Sequence, residues 1–158
     1  MHKLLIFAFL AVIFIRGPGA ASDPTAYACP ESLPRIETEV NGHPLTLTVA
    51  ATPEARECGI SKRNGLPQNE GFLFVLPAPQ PVAFWMKDTR IPIDIAFLDD
   101  AGRVLSIQQM VPLRTDVIYR SPQPVRYAIE VNQGWFARQG VGVGDVITLP
   151  LPVGLRID

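Results

Sequence analysis

The chain has 158 residues, with 14 lysines and arginines against 15 aspartates and glutamates. This near-neutral balance, without a basic run, gives no electrostatic footprint for nucleic acid, so no nucleic-acid partner is expected. His43 is the one histidine beyond residue 2, and the two cysteines form no Cys-x-x-Cys motif. A multi-histidine or Cys-x-x-Cys zinc site is therefore excluded within one chain, and no metal site or cofactor is predicted.

Residues 1–21 predict a secretory signal peptide. Lys3 precedes an unbroken apolar run over residues 4–15, and small residues follow at 19–21. The run is shorter than the roughly 20 residues that a membrane-spanning helix needs. We expect cleavage after Ala21 and a periplasmic or secreted protein without a transmembrane segment in the mature chain. The alternative is an uncleaved amphipathic anchor, because Arg16 directly follows the apolar run.

Residues 22–35 hold three prolines and little periodicity, which predicts an extended leader. Residues 36–158 are predicted to form one β-rich domain, since the mature length of 158 − 21 = 137 residues is typical of a single hydrophobic core. Without Lys3 and Arg16 the mature charge is 12 basic against 15 acidic residues, about −3.

The first predicted strand spans residues 45–49, where Leu and Val alternate with Thr. "TPEARECG", residues 52–59, predicts a helix of two turns: Thr52 can cap it, Pro53 suits its first position and Gly59 can end it. "GFLFVLP", residues 71–77, is typical of a strand buried on both faces, and residues 77–81, "PAPQP", predict a rigid connector.

Residues 93–98 and 104–109 predict a hairpin joined by "DDAG". Alternation at residues 126–131 predicts another strand. The segment "NQGWFARQG" predicts a second short helix, capped by Asn132 and ended by Gly140. Residues 146–149 predict a last strand. The many short strands and few helical residues favour a mainly β (β-rich α+β) fold, as one compact, strongly bent sheet or small barrel with two short helices.

The two cysteines, Cys29 and Cys58, leave two alternatives open. In an oxidising compartment they can form a disulfide that closes a loop of roughly 30 residues and contributes about 3.5 kcal/mol in the chain-entropy model. Otherwise Cys58 is a small apolar residue buried on a helix, and Cys29 lies in the leader.

The most distinctive stretch is "FWMKDTRIPIDIAFLDD", residues 84–100. In the functional interpretation, Trp85 and Met86 wall a concavity, and Lys87 and Asp88 supply fixed opposite charges, as in ligand sites. In the structural interpretation, Trp85 and Met86 are core residues, Lys87 extends outward, and Asp88 and Thr89 form a turn.

Three further charged residues are candidates for the same site. Asp94 and Glu130 occupy the polar phase of predicted strands, which means either solvent exposure or a shared cavity inside a barrel. Arg56, on the first helix, could pair with either carboxylate.

The segments "ATPEARECGIS", "GFLFVLP", "FWMKDTRIPIDIAFLDDAGRV" and "GVGVGDVI" together resemble the family called domain of unknown function 192, which comprises small exported or membrane-tethered prokaryotic proteins. The resemblance covers residues 40–149 and implies a compact β-rich fold, without an established activity to carry over. In this sequence it marks the following residues: Arg56, Gly59, Gly71, Phe84, Trp85, Met86, Lys87, Thr89, Pro92, Asp94, Gly144 and Asp145. Asp88 stands where the family usually has Asn, and Ser61 and Phe72 where it usually has Met.

The leading hypothesis is an exported binding or accessory module that holds a small molecule, or a segment of an envelope protein, against Trp85 and Met86, with Lys87 contacting an anionic group. One alternative is an enzyme in which a buried Lys87 acts as base or nucleophile, tuned by Asp88 or Asp94. The other is a purely structural envelope protein.

Overall fold

The computed structural model describes residues 29–158; the predicted signal peptide and residues 22–28 of the predicted leader lie outside this range. The described part contains eight strands, two helices and connecting loops. Their bounds in chain order are β1 Arg35–Val40, β2 His43–Ala50, α1 Pro53–Cys58, β3 Glu70–Gln80, β4 Ala83–Phe84, β5 Ile93–Leu98, β6 Val104–Met110, β7 Tyr119–Arg120, β8 Val125–Asn132 and α2 Trp135–Arg138.

Six strands form one mixed sheet in the order β1-β2-β3-β8-β5-β6, and β4 pairs with β7 in a separate two-stranded ribbon. The mainly β class is confirmed, as are the two short helices. The barrel alternative is wrong, because β1 and β6 remain as two edges of an open sheet. Closure would need a hydrogen-bonded β1–β6 pair.

The β2–β3 pair is the parallel pair of this sheet, and all its other neighbours run antiparallel. A parallel connection must leave the sheet and return at the starting end, so a crossover over residues 51–69 joins the two strands. The crossover carries α1, whose Ala55 packs with Phe72 and Phe74 on one face of the sheet.

Both faces of the sheet are covered by buried apolar clusters. Leu73 and Val75 pack into a cluster that includes α2, whereas Phe72 and Phe74 face the opposite cluster beneath α1 and β4. This explains why residues 71–76 of β3 and 95–98 of β5 are continuous apolar runs, since a strand with two covered faces has no wetted side.

The residues that begin and end the first helix were predicted correctly. Thr52 Oγ1 accepts a hydrogen bond from the Ala55 N–H at 3.3 Å, Pro53 begins α1 and Gly59 ends it. The hairpin turn is also as predicted: Asp99 Oδ1 accepts from the backbone of Ala101 and Arg103, both at 2.9 Å.

Several local predictions were wrong. Residues 77–80 belong to β3 rather than to a connector, although their side chains are exposed and the register shifts between Val75 and Gln80. Asn132 ends β8 and donates to Leu66 O at 2.9 Å, so the residue before α2 is Gly134 instead. Residues 146–149 form only an isolated bridge, between Val146 and Arg103.

Cys29 and Cys58 form a disulfide with 5.6 Å between their Cα atoms. Of the two alternatives left by the sequence, the structure therefore has the bridge, which ties the segment before β1 to the last turn of α1. Within residues 29–158, no helix has both the length and the apolar character needed to cross a bilayer.

Candidate functional site

A cavity of about 400 Å³ lies between the crossover and the sheet. The central strands β3 and β8 form its floor, and α1 with the following turn forms one wall. The opposite wall consists of β4 and the residues that follow it, up to Thr89. Its volume falls within the range of sites for small molecules.

Apolar and aromatic side chains form part of the interior of the cavity. Phe74 from β3 and Phe84 from β4 meet edge to face with 4.9 Å between ring centroids, beside Ile60 and Leu76. Gly59 borders the Phe74 ring, and a Cβ atom there would lie 3.0 Å from it. Gly59 also has φ +42°, so both the space and the backbone favour glycine at this position.

Glu130, from the central strand β8, is the titratable group at the floor of the cavity. Its side chain is only 4 % exposed, and its Oε2 atom has no hydrogen-bond partner among the described residues. Burial raises the pKa of this carboxyl to about 8, because the charged form loses its hydration without gaining a partner. At neutral pH the group is therefore mainly an uncharged acid that can both donate and accept hydrogen bonds.

Lys87 and Trp85 lie at the mouth of the cavity. Lys87 is exposed, and its Nζ lies 5.3 Å from the centroid of the Trp85 ring, within cation–π distance. Trp85 is 49 % exposed, so its ring forms a rim rather than an inner wall. A lysine base tuned by burial requires desolvation, which exposed Lys87 does not have.

Three neighbours of Lys87 serve the backbone turn. Met86 is fully buried in the apolar cluster and does not line the cavity. Asp88 is exposed with φ +56°, a left-handed conformation that Asn and Asp tolerate best, which explains the family's usual Asn without any ligand contact. Thr89 is buried and lines the cavity, with its hydroxyl 3.3 Å from Lys87 O.

Arg56 pairs with neither predicted carboxylate. Its guanidinium donates instead to three backbone oxygens: Ala51 O at 2.7 Å, Val75 O at 3.0 Å and Asp158 O at 2.5 Å. Burial lowers the pKa of Arg56, and the nearby Asp158 carboxylate opposes that effect. Arg56 therefore holds the crossover to β3, although one side of it borders the cavity.

Asp94 and Glu130 are both buried, so the prediction of solvent exposure is wrong. They also do not share a cavity. Ile95 is the cross-strand partner of Glu130, which places Asp94, one residue earlier, on the opposite face of the sheet. There Asp94 Oδ2 accepts a hydrogen bond from the Gly134 N–H at 2.8 Å. Burial raises the pKa of Asp94, and the hydrogen bond from Gly134 partly offsets this effect.

The structure thus brings five of the eight predicted residues to the cavity: Arg56, Trp85, Lys87, Thr89 and Glu130. It excludes Met86, Asp88 and Asp94. Sequence reasoning did not assign Phe74, Phe84 and Ile60 to the site, although the family resemblance marked Phe84; all three line the cavity. The signal for Phe74 was present in the buried run at residues 71–77, but periodicity does not tell which phase of a doubly covered strand faces a cavity.

The profile of the DUF192 family, described as "Uncharacterized ACR", matches residues 36–149. The chain belongs to the DUF192 family. No curated protein gives a significant match to this DUF192 chain.

Five chains among the solved structures match this DUF192 protein. One, from Sinorhizobium meliloti 1021, is provisionally named a transcription regulator; it is 34 % identical with a TM-score of 0.66, over 72 % of this chain and 89 % of that one. Another, from Novosphingobium aromaticivorans DSM 12444, is a protein of unknown function; it is 26 % identical with a TM-score of 0.66, over 83 % of this chain and 100 % of that one.

The two positions where this DUF192 chain departs from the family's usual Met have ordinary structural roles. Ser61 Oγ donates to Cys58 O at 2.7 Å, and the Phe72 ring packs in the core beneath the guanidinium of Arg63, 4.8 Å away. Within residues 29–158, no group of three or more His, Cys, Asp or Glu side chains is placed to hold a metal ion.

Proposed function

We propose that this DUF192 protein is an exported binding module that holds one small amphipathic anion in the cavity above β3 and β8. The apolar body of the ligand packs between Phe74 and Phe84. Glu130 hydrogen-bonds a polar group at the floor as an uncharged acid, and Lys87 contacts the anionic group at the mouth.

The observation that carries this proposal is the unpartnered carboxyl of Glu130 at the floor of the cavity. An orphaned buried polar atom costs about 1–3 kcal/mol. Residues 29–158 hold three such atoms, Asp94 Oδ1, Ser106 Oγ and Glu130 Oε2, and Glu130 is the one of these residues that lines the cavity. A ligand that supplies the missing hydrogen bond removes this cost in the bound state. Lys87 is the cation at the mouth that suits an anionic group, since Arg56 already donates to three carbonyls.

Export is part of the same proposal. The predicted signal peptide supports it, and the Cys29–Cys58 disulfide fits an oxidising compartment, where such bonds persist. A ligand met there would come from the envelope or the medium rather than from the cytoplasm.

Native mass spectrometry of protein purified from its own envelope tests the proposal. We expect one retained small molecule per chain, and we expect it to be absent from a Val82→Trp variant. Val82 is a half-buried cavity residue, so an indole at this position fills the space. Val153→Trp is the matched control, because Val153 is fully exposed and does not line the cavity.

A ligand retained equally by both variants would place binding elsewhere. Preparations in which the wild type carries no ligand, and binds none when supplied with an envelope extract, would contradict the proposal.

A further inference from the structure

The mouth of the cavity opens within a larger surface made of three segments, residues 61–64, 85–90 and 111–120, which we call the mouth surface. Backbone hydrogen bonds join the segments: Lys62 N donates to Asp88 O at 2.8 Å, and Leu113 N donates to Thr89 O at 3.0 Å. The β4–β7 ribbon adds the pairing of Phe84 with Tyr119. The three segments therefore form one continuous part of the protein.

Charge is distributed unevenly between this surface and the remainder of the protein. Residues 29–158 contain 12 basic and 14 acidic residues, a formal balance of −2. The mouth surface holds six of the basic residues but only two of the acidic ones, a local balance of +4. The basic residues are Lys62, Arg63, Lys87, Arg90, Arg114 and Arg120, and the acidic ones are Asp88 and Asp116.

Most of these cations have no acidic partner in the described part of the chain. Arg114 pairs with Asp116 at 2.7 Å, and the other five basic residues form no ion pair within residues 29–158. All six are exposed. The surface can therefore neutralise several negative charges of a partner.

Exposed apolar side chains concentrate in the same place. Trp85, Val111, Leu113 and Ile118 are 49 %, 49 %, 58 % and 43 % exposed, and they are four of the seven large apolar side chains that residues 29–158 leave exposed. Leu113 also has φ +60°, a strained conformation for a bulky residue without an evident packing reason. Such strain is found most often where a protein contacts something else.

We propose that the mouth surface binds the face of a lipid bilayer rich in anionic phospholipids, with Trp85 and Leu113 inserting at the level of the headgroups. Exposed apolar side chains together with Lys and Arg are the composition of interfacial membrane contacts, where Trp is preferred. A protein partner fits less well, because protein interfaces deplete lysine at their centre, whereas Lys87 lies against Trp85 there. When the protein is bound in this way, its cavity opens toward the lipid. This inference goes beyond the proposed function and does not depend on it.

Vesicle sedimentation tests the inference with the mature chain recovered from the envelope. The readout is the ratio of binding to vesicles of phosphatidylglycerol and phosphatidylethanolamine over binding to vesicles of phosphatidylcholine alone. A retained apolar N-terminal segment would insert into both, so the ratio isolates the electrostatic part. We expect a ratio of at least about ten at low salt, falling toward one at about 0.5 M salt.

Two variants with matched controls locate the contact. Lys62→Asp with Arg90→Glu reverses two charges of the mouth surface, and aspartate tolerates the φ of +62° at position 62. We expect this variant to lower the ratio by about tenfold or more. Arg138→Glu with Arg156→Glu makes the same change in net charge away from the mouth surface and should leave the ratio within about twofold of the wild type.

The second variant, Leu113→Asn, removes an exposed apolar side chain and relieves backbone strain, so we expect it to remain folded. It should weaken binding to anionic vesicles by several-fold, whereas the control Val153→Ser should not. A ratio near one for the wild type at low salt, or equal losses in the mouth-surface and control variants, would overturn the inference. Binding to polyglutamate but not to anionic vesicles would overturn it too, and would assign the surface to an acidic protein.

Discussion

At the scale of single residues, Glu130 combines two properties that rarely occur together. It is central in the sheet and nearly fully buried, yet one carboxyl oxygen has no hydrogen-bond partner within the described residues. The same residue makes the cavity polar at its floor and costs stability in the absence of a ligand. Its titration therefore reports on the cavity through the stability of the whole fold.

The stability of the ligand-free protein should fall as the pH rises from about 5 to 8. Unfolding lowers the pKa of Glu130 from about 8 to its ordinary value of 4.5, so between these values the unfolded chain releases a proton that the folded protein keeps. Relative to Glu130→Gln, which cannot titrate, the free energy of unfolding should decrease by up to about 1.4 kcal/mol per pH unit and level off above pH 8. Urea unfolding at a series of pH values measures the difference. A difference that does not depend on pH would show that Glu130 is ionised in the folded protein.

Residue-level reasoning from sequence found three of the charged residues that line the cavity, Arg56, Lys87 and Glu130, but it missed Glu57 and did not predict their roles. The motif around Lys87 indicated Trp85 and Thr89, the first helix indicated Arg56, and all three border the cavity. The burial of Glu130 could not be predicted, since a polar residue in the alternating phase of a strand ordinarily faces solvent. Here β8 lies in the middle of a sheet with both faces covered, which only the long-range pairing with β3 and β5 determines.

At the scale of elements, the close approach of β3 to β8 depends on Gly71. A Cβ atom at this position would lie 2.5 Å from Glu130 O and 2.9 Å from a methyl carbon of Val131, and one of these contacts is rigid backbone. The glycine thus fixes the register and spacing that place Glu130 beneath the cavity.

Gly71→Ala should destabilise the protein by about 1–3 kcal/mol or more, because β3 and β8 must move apart to accommodate the methyl group. Gly65→Ala is the matched control, since nothing lies within 4 Å of a Cβ atom there, and its effect should stay within about 0.5 kcal/mol. Thermal or urea unfolding of the two variants measures the difference. Equal effects would mean that the strands adjust without cost.

Elements whose ends are set by residues close in sequence could be predicted from the sequence, whereas elements that depend on distant pairing partners could not. The ends of α1 follow from Thr52, Pro53 and Gly59, which act within a few residues. The strand β1 is joined to β2 by the two-residue turn Asn41-Gly42, with φ of +51° and +79°, so this hairpin has a local signal that our prediction missed. The short ribbon of β4 and β7 exists because of pairing between segments that are distant in the chain. The open form of the sheet depends likewise on which strands lie at its edges.

At the scale of the whole molecule, the floor of the cavity changes charge near pH 8. An amphipathic anion such as 1-anilinonaphthalene-8-sulfonate should therefore bind with constant affinity below about pH 7 and progressively more weakly above about pH 8, as ionised Glu130 repels it. Glu130→Gln should remove this pH dependence. Fluorescence titration of the dye at several pH values measures both, and a wild type whose affinity rises above pH 8 would point to a cationic ligand instead.

The parallel β2–β3 pair has a further consequence for how relatives can diverge. Because the crossover over residues 51–69 leaves the sheet before it returns, the loop that follows α1 within it can vary in length without shifting any strand, as longer surface loops cost little entropy. One wall of the pocket is therefore free to be rebuilt by insertion or deletion while the floor stays fixed. Homologues with the same core should differ in what they hold mainly through this one segment, and exchanging it between two of them should transfer ligand preference.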